Sequence, residues 1–228
     1  MATRQSALRE KMLQVREDAI LAAVNRLLSQ KGYDHMTVDE VAAEAGIAKA
    51  ILYKHFASKE ALAAAAMIRV LDQAIAESAT LAADGDRSAR GRLVALVQWA
   101  MRVQLAGEMP ALPAQNSALR AALGAHALYL DRLSELSERL GEWITAAQAG
   151  GEIDPALPPE LVLYTLFARA CDPVLSLLKA GGSYDDDRIV ELLTRTCFDG
   201  LAGAAPRAAA APAGRRAVAP SRSRAHAG

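Results

Sequence analysis

Apolar residues return along this chain at three- and four-residue steps, the repeat of an α-helix with one buried face. Ile20, Val24, Leu27 and Leu28 set the first such stripe, and Gly32 supplies its C-terminal stop. A second helix is expected from Lys59 to about Ala83, ending before Asp84-Gly85-Asp86. A third, about Ser88 to Ala106, carries Leu93, Leu96, Val97, Trp99, Ala100 and Val103 on most of its faces. Such a helix belongs inside a bundle. Met109 to Pro113 breaks the pattern. A long seam follows through His126, Tyr129, Leu133, Leu136, Leu140, Trp143 and Ala147, closed by Gly150-Gly151. Pro158-Pro159-Glu160 opens the next helix, which runs through Leu163, Phe167 and Leu178 to Gly181-Gly182 with a kink expected at Pro173. The last begins at Asp185-Asp186-Asp187, three carboxylates beside the positive end of a helix dipole, and its apolar residues are Ile189, Val190, Leu193, Cys197 and Leu201. No strand alternation and no internal repeat occurs, so the predicted fold class is all-α.

Composition agrees with this pattern. The 228 residues are 52% hydrophobic but only 4% aromatic, with Ala and Leu supplying much of the total. Basic and acidic residues balance at 26 each, which excludes a wholesale polyanion binder. The balance is uneven along the chain, because Leu201 to Gly228 holds five Arg and no acid. That tail is Ala, Pro, Arg, Ser and Gly after Gly203 and is expected to be disordered, with at most a weak attraction for phosphate. The charged stretch Met1 to Asp18 has no signal-peptide core, and the longest apolar run, Ala61 to Ile68, is far short of a bilayer span. No membrane partner is expected, and a cytoplasmic location is. Cys171 and Cys197 lie in apolar helical stretches without metal spacing and read as small buried hydrophobes.

The chemistry concentrates between Thr37 and Phe56. Thr37 and Glu40 have the spacing of a capping box, and Met36 and Val41 that of a hydrophobic staple. A short helix, Val38 to Glu44, is followed by Ala45-Gly46-Ile47, with Gly46 suited to a left-handed turn, and by a second short helix from about Lys49 to His55. Two short helices joined by such a turn form a helix-turn-helix. Its second helix crowds donors together. Lys49, at its start, is placed for guanine O6/N7, and Ala50 and Ile51 for a thymine methyl. Lys54 is a further donor toward DNA, and Tyr53, His55 and Lys59 are candidates for phosphate contact, His55 alternatively packing beside Phe56. Thr37 offers a hydroxyl and backbone N–H groups to another phosphate. Ile47, Leu52 and Phe56 should face inward.

The stretch from Ile20 to Leu62 resembles the N-terminal domain of the TetR family of bacterial transcriptional regulators. The resemblance rests on Gly32-Tyr33, Thr37-Val38-Asp39-Glu40-Val41-Ala42, Ala45-Gly46-Ile47, Leu52-Tyr53-Lys54-His55-Phe56 and Ser58-Lys59-Glu60-Ala61-Leu62. One departure stands out: Ala48-Lys49-Ala50-Ile51 replaces the frequent Ser-Lys-Gly-Thr, so position 48 cannot cap the recognition helix by side chain.

The resemblance implies an N-terminal extension over 1–13, a DNA-binding domain over 14–74 with its helix-turn-helix at 37–56, a ligand-binding and dimerisation domain over 75–203, and the tail 204–228. It implies a repressor that binds double-stranded inverted-repeat operator DNA as a homodimer and is released by a small-molecule effector. The dimer is expected to form on Leu161 to Leu178 and Ile189 to Leu201. By residue type, Trp99, Met101, Arg102, His126, Tyr129, Trp143 and Phe167 are the candidate effector pocket, suited to an apolar or amphipathic molecule. Arg102 and Arg169 also fit an internal ion pair or a dimer rim. No cofactor, no metal and no enzymatic activity are expected: the four His have no metal-ligand spacing, and no Gly-rich phosphate loop or Gly-x-Ser-x-Gly is present. The alternative is a helical bundle that binds a ligand or partner without specific DNA binding.

Overall fold

A computed structural model describes residues 2–109 and 118–200, and among these all regular structure is helical. The Ala/Pro/Arg tail and the Pro110–Pro113 part of the chain break lie outside the described residues. The helices are α1 (Ala2–His35), α2 (Val38–Glu44), α3 (Lys49–His55), α4 (Lys59–Ala83), α5 (Ala89–Leu105), α6 (Ala118–Gly124), α7 (Ala127–Ala149), α8 (Pro159–Ala170), α9 (Pro173–Gly181) and α10 (Asp186–Phe198).

Their ends follow from side chains that take up orphan backbone N–H groups. Ser58 accepts from the Ala61 amide at 3.1 Å, Ser88 from Gly91 at 3.1 Å and Asp185 from Arg188 at 2.8 Å. Gly46, at φ 65°, makes the left-handed turn between α2 and α3 that a side chain would strain.

Two hydrophobic cores share one helix. The first gathers Ile20, Val24, Leu27, Met36, Val41, Leu52 and Phe56 from α1–α3 around Leu62, Ala63 and Ala66 of α4, with Leu119 and Leu123 of α6 against them. The second joins Ala74 and Leu81 of α4 to α5, α7, α8, α9 and α10. Helix α4 thus runs from the helix-turn-helix into the bundle, packing on α1, α5, α6 and α7.

Helix α1 starts at Ala2, inside the expected N-terminal extension over 1–13, and runs to the φ 74° residue Gly32. The structure departs from the sequence reading in three places. Helix α6 escaped prediction, since its seven residues give too little periodicity beside a Pro-rich break. The helix expected to kink at Pro173 is two helices. Proline has no N–H and disfavours helical backbone before it, so Asp172 is extended (φ −74°, ψ 117°) and its carboxylate caps α9 through Val174 N at 3.0 Å. Finally, Ile189, Val190 and Leu193 of α10 are buried within the protomer, in the second core.

Candidate nucleic-acid interface and apolar cavity

The short helix α2 is fixed at its start by reciprocal bonds. The Thr37 hydroxyl accepts from Glu40 N at 3.2 Å, and Thr37 N donates to the Glu40 carboxylate at 3.0 Å. Lys31 of α1 donates to the same carboxylate at 2.6 Å. This ammonium, with the Thr37 bonds, holds Glu40 down at about 2 although it is exposed. The hydroxyl and amide of Thr37, the groups expected to serve a phosphate, are both bonded to the Glu40 carboxylate. Met36 and Val41 are both buried, as a staple requires.

Helix α3 buries Leu52, with Phe56 and Ile47 against the same core, and presents the opposite face to solvent. Lys49, Ala50, Tyr53 and Lys54 are exposed on it, while Ile51 and His55 are half-buried. No side chain caps α3 at Ala48. Lys49 is not alone: its ammonium is 2.9 Å from the carboxylate of Asp39 on α2, which raises the affinity of Lys49 for its proton. Lys59 lies 4.3 Å over the Tyr33 ring and donates to Asp34 O at 3.4 Å, so its ammonium is held against the end of α1. The Tyr33 hydroxyl donates to Glu60 at 2.6 Å; burial and that carboxylate push the phenol well above its usual range. These bonds lock the end of α1 onto the start of α4, and so set the angle at which α3 is presented.

A cavity of about 600 Å³ lies beyond the first core. Its walls come from Met67, Val70, Leu71 and Ala74 of α4, from Leu96, Val97, Trp99 and Ala100 of α5, and from Leu133, Leu136 and Leu140 of α7. Tyr164, Phe167 and Ala170 of α8, with Cys171, close the other side, and Arg120 and Leu123 of α6 face them. Three of the seven candidate pocket residues meet here: Trp99, Tyr129 and Phe167. The other four are elsewhere. Met101 and Trp143 fill the solid core of the bundle. Arg102 is exposed and pairs with Asp187 at 3.5 Å. His126 caps α7, its Nδ1 facing Tyr129 N at 3.4 Å. Residue type alone cannot separate an aromatic that fills a core from one that walls a void. Arg169 pairs with buried Asp172 at 2.7 Å beside the α8–α9 break. Polar groups at the cavity are few. Burial pushes the Cys171 thiol up to about 11, so it stays protonated at neutral pH, and burial also raises the Tyr129 phenol. No group of three or more metal-ligating side chains occurs among the described residues.

A family model for bacterial regulatory proteins of the tetR family matches residues 20–66, the span that holds the end of α1, all of α2 and α3 and the start of α4. Over these residues the chain is similar to the tetR family. An uncharacterized HTH-type transcriptional regulator of Mycobacterium tuberculosis is 47% identical over 58 residues, which span 25% of this chain and 29% of that protein. Beyond this segment, solved structures extend the likeness as one of fold. A transcriptional regulator FadR from Bacillus subtilis, in complex with stearoyl-CoA, matches with TM-score 0.59 at 18% identity, covering 81% of this chain and 98% of its own. A TetR family regulator from Marinobacter aquaeolei matches with TM-score 0.58 at 21% identity, covering 84% and 97%. The helical bundle beyond the matched segment thus shares its fold with these solved structures.

Proposed function

We propose that this protein is a homodimeric transcriptional repressor whose DNA grip is released by an apolar or amphipathic effector. The observation that carries the reading is the exposed face of α3, with Lys49, Tyr53 and Lys54 displayed beside a capped α2 inside the matched segment. Residues 14–74 serve as the DNA-binding unit and 75–203 as the effector and dimer unit. Lys49, Ala50 and Ile51 read base edges, while Tyr53, Lys54 and His55 lie along phosphates. Lys59 acts chiefly by fixing α4 against α1, and Thr37 by capping α2.

The effector unit is supported by the cavity, whose volume suits a small molecule and whose walls suit a hydrocarbon. The fold likeness to a regulator in complex with stearoyl-CoA makes acyl thioesters the first class to try. Dimerisation is supported by α8 and α9, which expose Leu161, Tyr164, Val174 and Leu177. The buried α10 residues Ile189 and Leu193 are not part of that surface.

The test is a mobility shift on DNA flanking the encoding gene, repeated with long-chain acyl-CoA. A two-fold symmetric footprint weakened by the acyl-CoA supports the reading. A protein that binds acyl-CoA but no DNA at low salt would be the ligand-binding bundle instead.

A further inference from the structure

Every acid on a surface that must approach a polyanion costs electrostatic work, so its presence there calls for a reason. Most acids of the first 60 residues with a named partner are turned toward α1 or α4. Asp18 pairs with Arg69, Glu44 with Arg26 at 2.8 Å, Glu40 with Lys31, and Glu60 with Tyr33. Asp39 is different. Its partner is Lys49, the first residue of α3, at 2.9 Å. The Asp39 side chain is 71% exposed and that of Lys49 48%, so the pair stands in solvent at the junction of α2 and α3. A surface ion pair this open adds little to stability, which leaves the placement unexplained by folding.

We propose that Asp39 determines specificity: resting on the DNA-binding reading above, Asp39 and Lys49 act as an acceptor–donor pair that reads G and C in the major groove. An ammonium carries three donors and a carboxylate only acceptors. Lys49 therefore keeps its bond to Asp39 while donating to guanine O6/N7, and Asp39 keeps lone pairs for the N4 amino group of a cytosine. A thymine or guanine at the cytosine position turns a carbonyl oxygen toward the carboxylate and is rejected. The capping box makes this reading geometrically firm. It fixes the first turn of α2, and it turns the neighbouring carboxylate, Glu40, back toward Lys31. Asp39 is left as the acid facing the recognition helix.

The experiment is binding-site selection from a randomised operator library with the full chain, comparing wild type, Asp39→Ala, Asp39→Asn and Lys49→Ala. Low-salt affinity for random duplex and a thermal melt are measured for each. Asp39→Ala is expected to lose about 10-fold discrimination for cytosine at one half-site position, different from the one relaxed by Lys49→Ala. It should also bind random duplex more tightly, since a negative charge is gone. Asp39→Asn should move the preference at that position toward adenine, whose N6/N7 edge suits an amide. If Asp39→Ala relaxes only the Lys49 position, Asp39 merely holds Lys49 and the proposal is wrong. An unchanged selected motif overturns it equally, while leaving the repressor reading intact. A wild-type protein that selects no motif and ignores duplex at low salt removes both.

Discussion

Helices α4 and α7 form one wall of the cavity, and a polar clasp beside it makes a quantitative expectation possible. Arg139 of α7 donates to the Ser78 hydroxyl at 2.8 Å and to Ile75 O at 3.1 Å, both on α4. Ser78 is fully buried and donates its own proton to Ile75 O at 2.7 Å. Arg139→Met keeps the apolar stem and removes both donors. Bonds from a charged donor contribute about 1.5–3 kcal/mol each. The full amount does not apply, since the guanidinium side chain is 29% exposed and Ile75 O keeps its bond from Ser78. A loss of about 1–2 kcal/mol follows, a fall in Tm of about 2–8 °C for a chain of this size. Ser78→Ala should cost about 1 kcal/mol, and the double variant less than the sum of the two, by about 1 kcal/mol. Urea unfolding of the four proteins at one fixed protomer concentration measures this cycle. A coupling below about 0.3 kcal/mol would show that Arg139 and Ser78 act independently and would refute the clasp between them.

Other expectations can be checked as directly. Glu40 has its carboxyl lowered from the usual 4.5 to about 2, so its support for the fold is complete above 4.5 and is lost as pH falls through that interval. The gap in urea midpoint between wild type and Glu40→Gln should therefore close as pH falls from 4.5 to 2, and a constant gap would contradict the assignment. Leu177→Glu, at a position 70% exposed, should give folded monomers in sedimentation, whereas Leu193→Glu, at 7%, should unfold the protomer by burying a charge. Leu177→Glu leaving the dimer intact would place the interface elsewhere. Ala100→Phe projects a ring into the cavity and should weaken acyl-CoA binding more than 10-fold by calorimetry, with stability changed by less than about 2 kcal/mol. Unimpaired binding would mean that the ligand sits in another place.

Local signals in the chain were those written in a few adjacent residues. The capping box, the Gly46 turn and the inward set of Ile47, Leu52 and Phe56 depend on neighbours within one or two turns, and the structure shows them where the spacing puts them. The ends of α4, α5 and α7 and the start of α10 fall within a residue or so of their predicted positions for the same reason. The cavity is another matter. Its wall joins Met67, Leu96, Leu133 and Phe167, residues on four helices whose proximity is set by packing and not by period. A stripe through Leu133, Leu136 and Leu140 reads as a seam whether it meets side chains or a void. The Asp39–Lys49 pair was equally hidden, since ten positions separate its members and only the turn at Gly46 brings them together.

The break between α8 and α9 has a further consequence, felt before the protein is folded. Pro159–Gly181 spans 23 residues with a mean hydropathy of 1.5 in its most apolar window, long and greasy enough to resemble a membrane-crossing segment as it leaves the ribosome. Arg169 and Asp172 stand at its centre, where each charge opposes insertion by about 2.5–3.5 kcal/mol. Pro173 denies the nascent segment one continuous helix. The three residues that end one helix and start the next thus also mark this apolar stretch as unfavourable to insert into a bilayer. Replacing Arg169 and Asp172 together by leucine would remove that mark without lengthening the segment by a single residue.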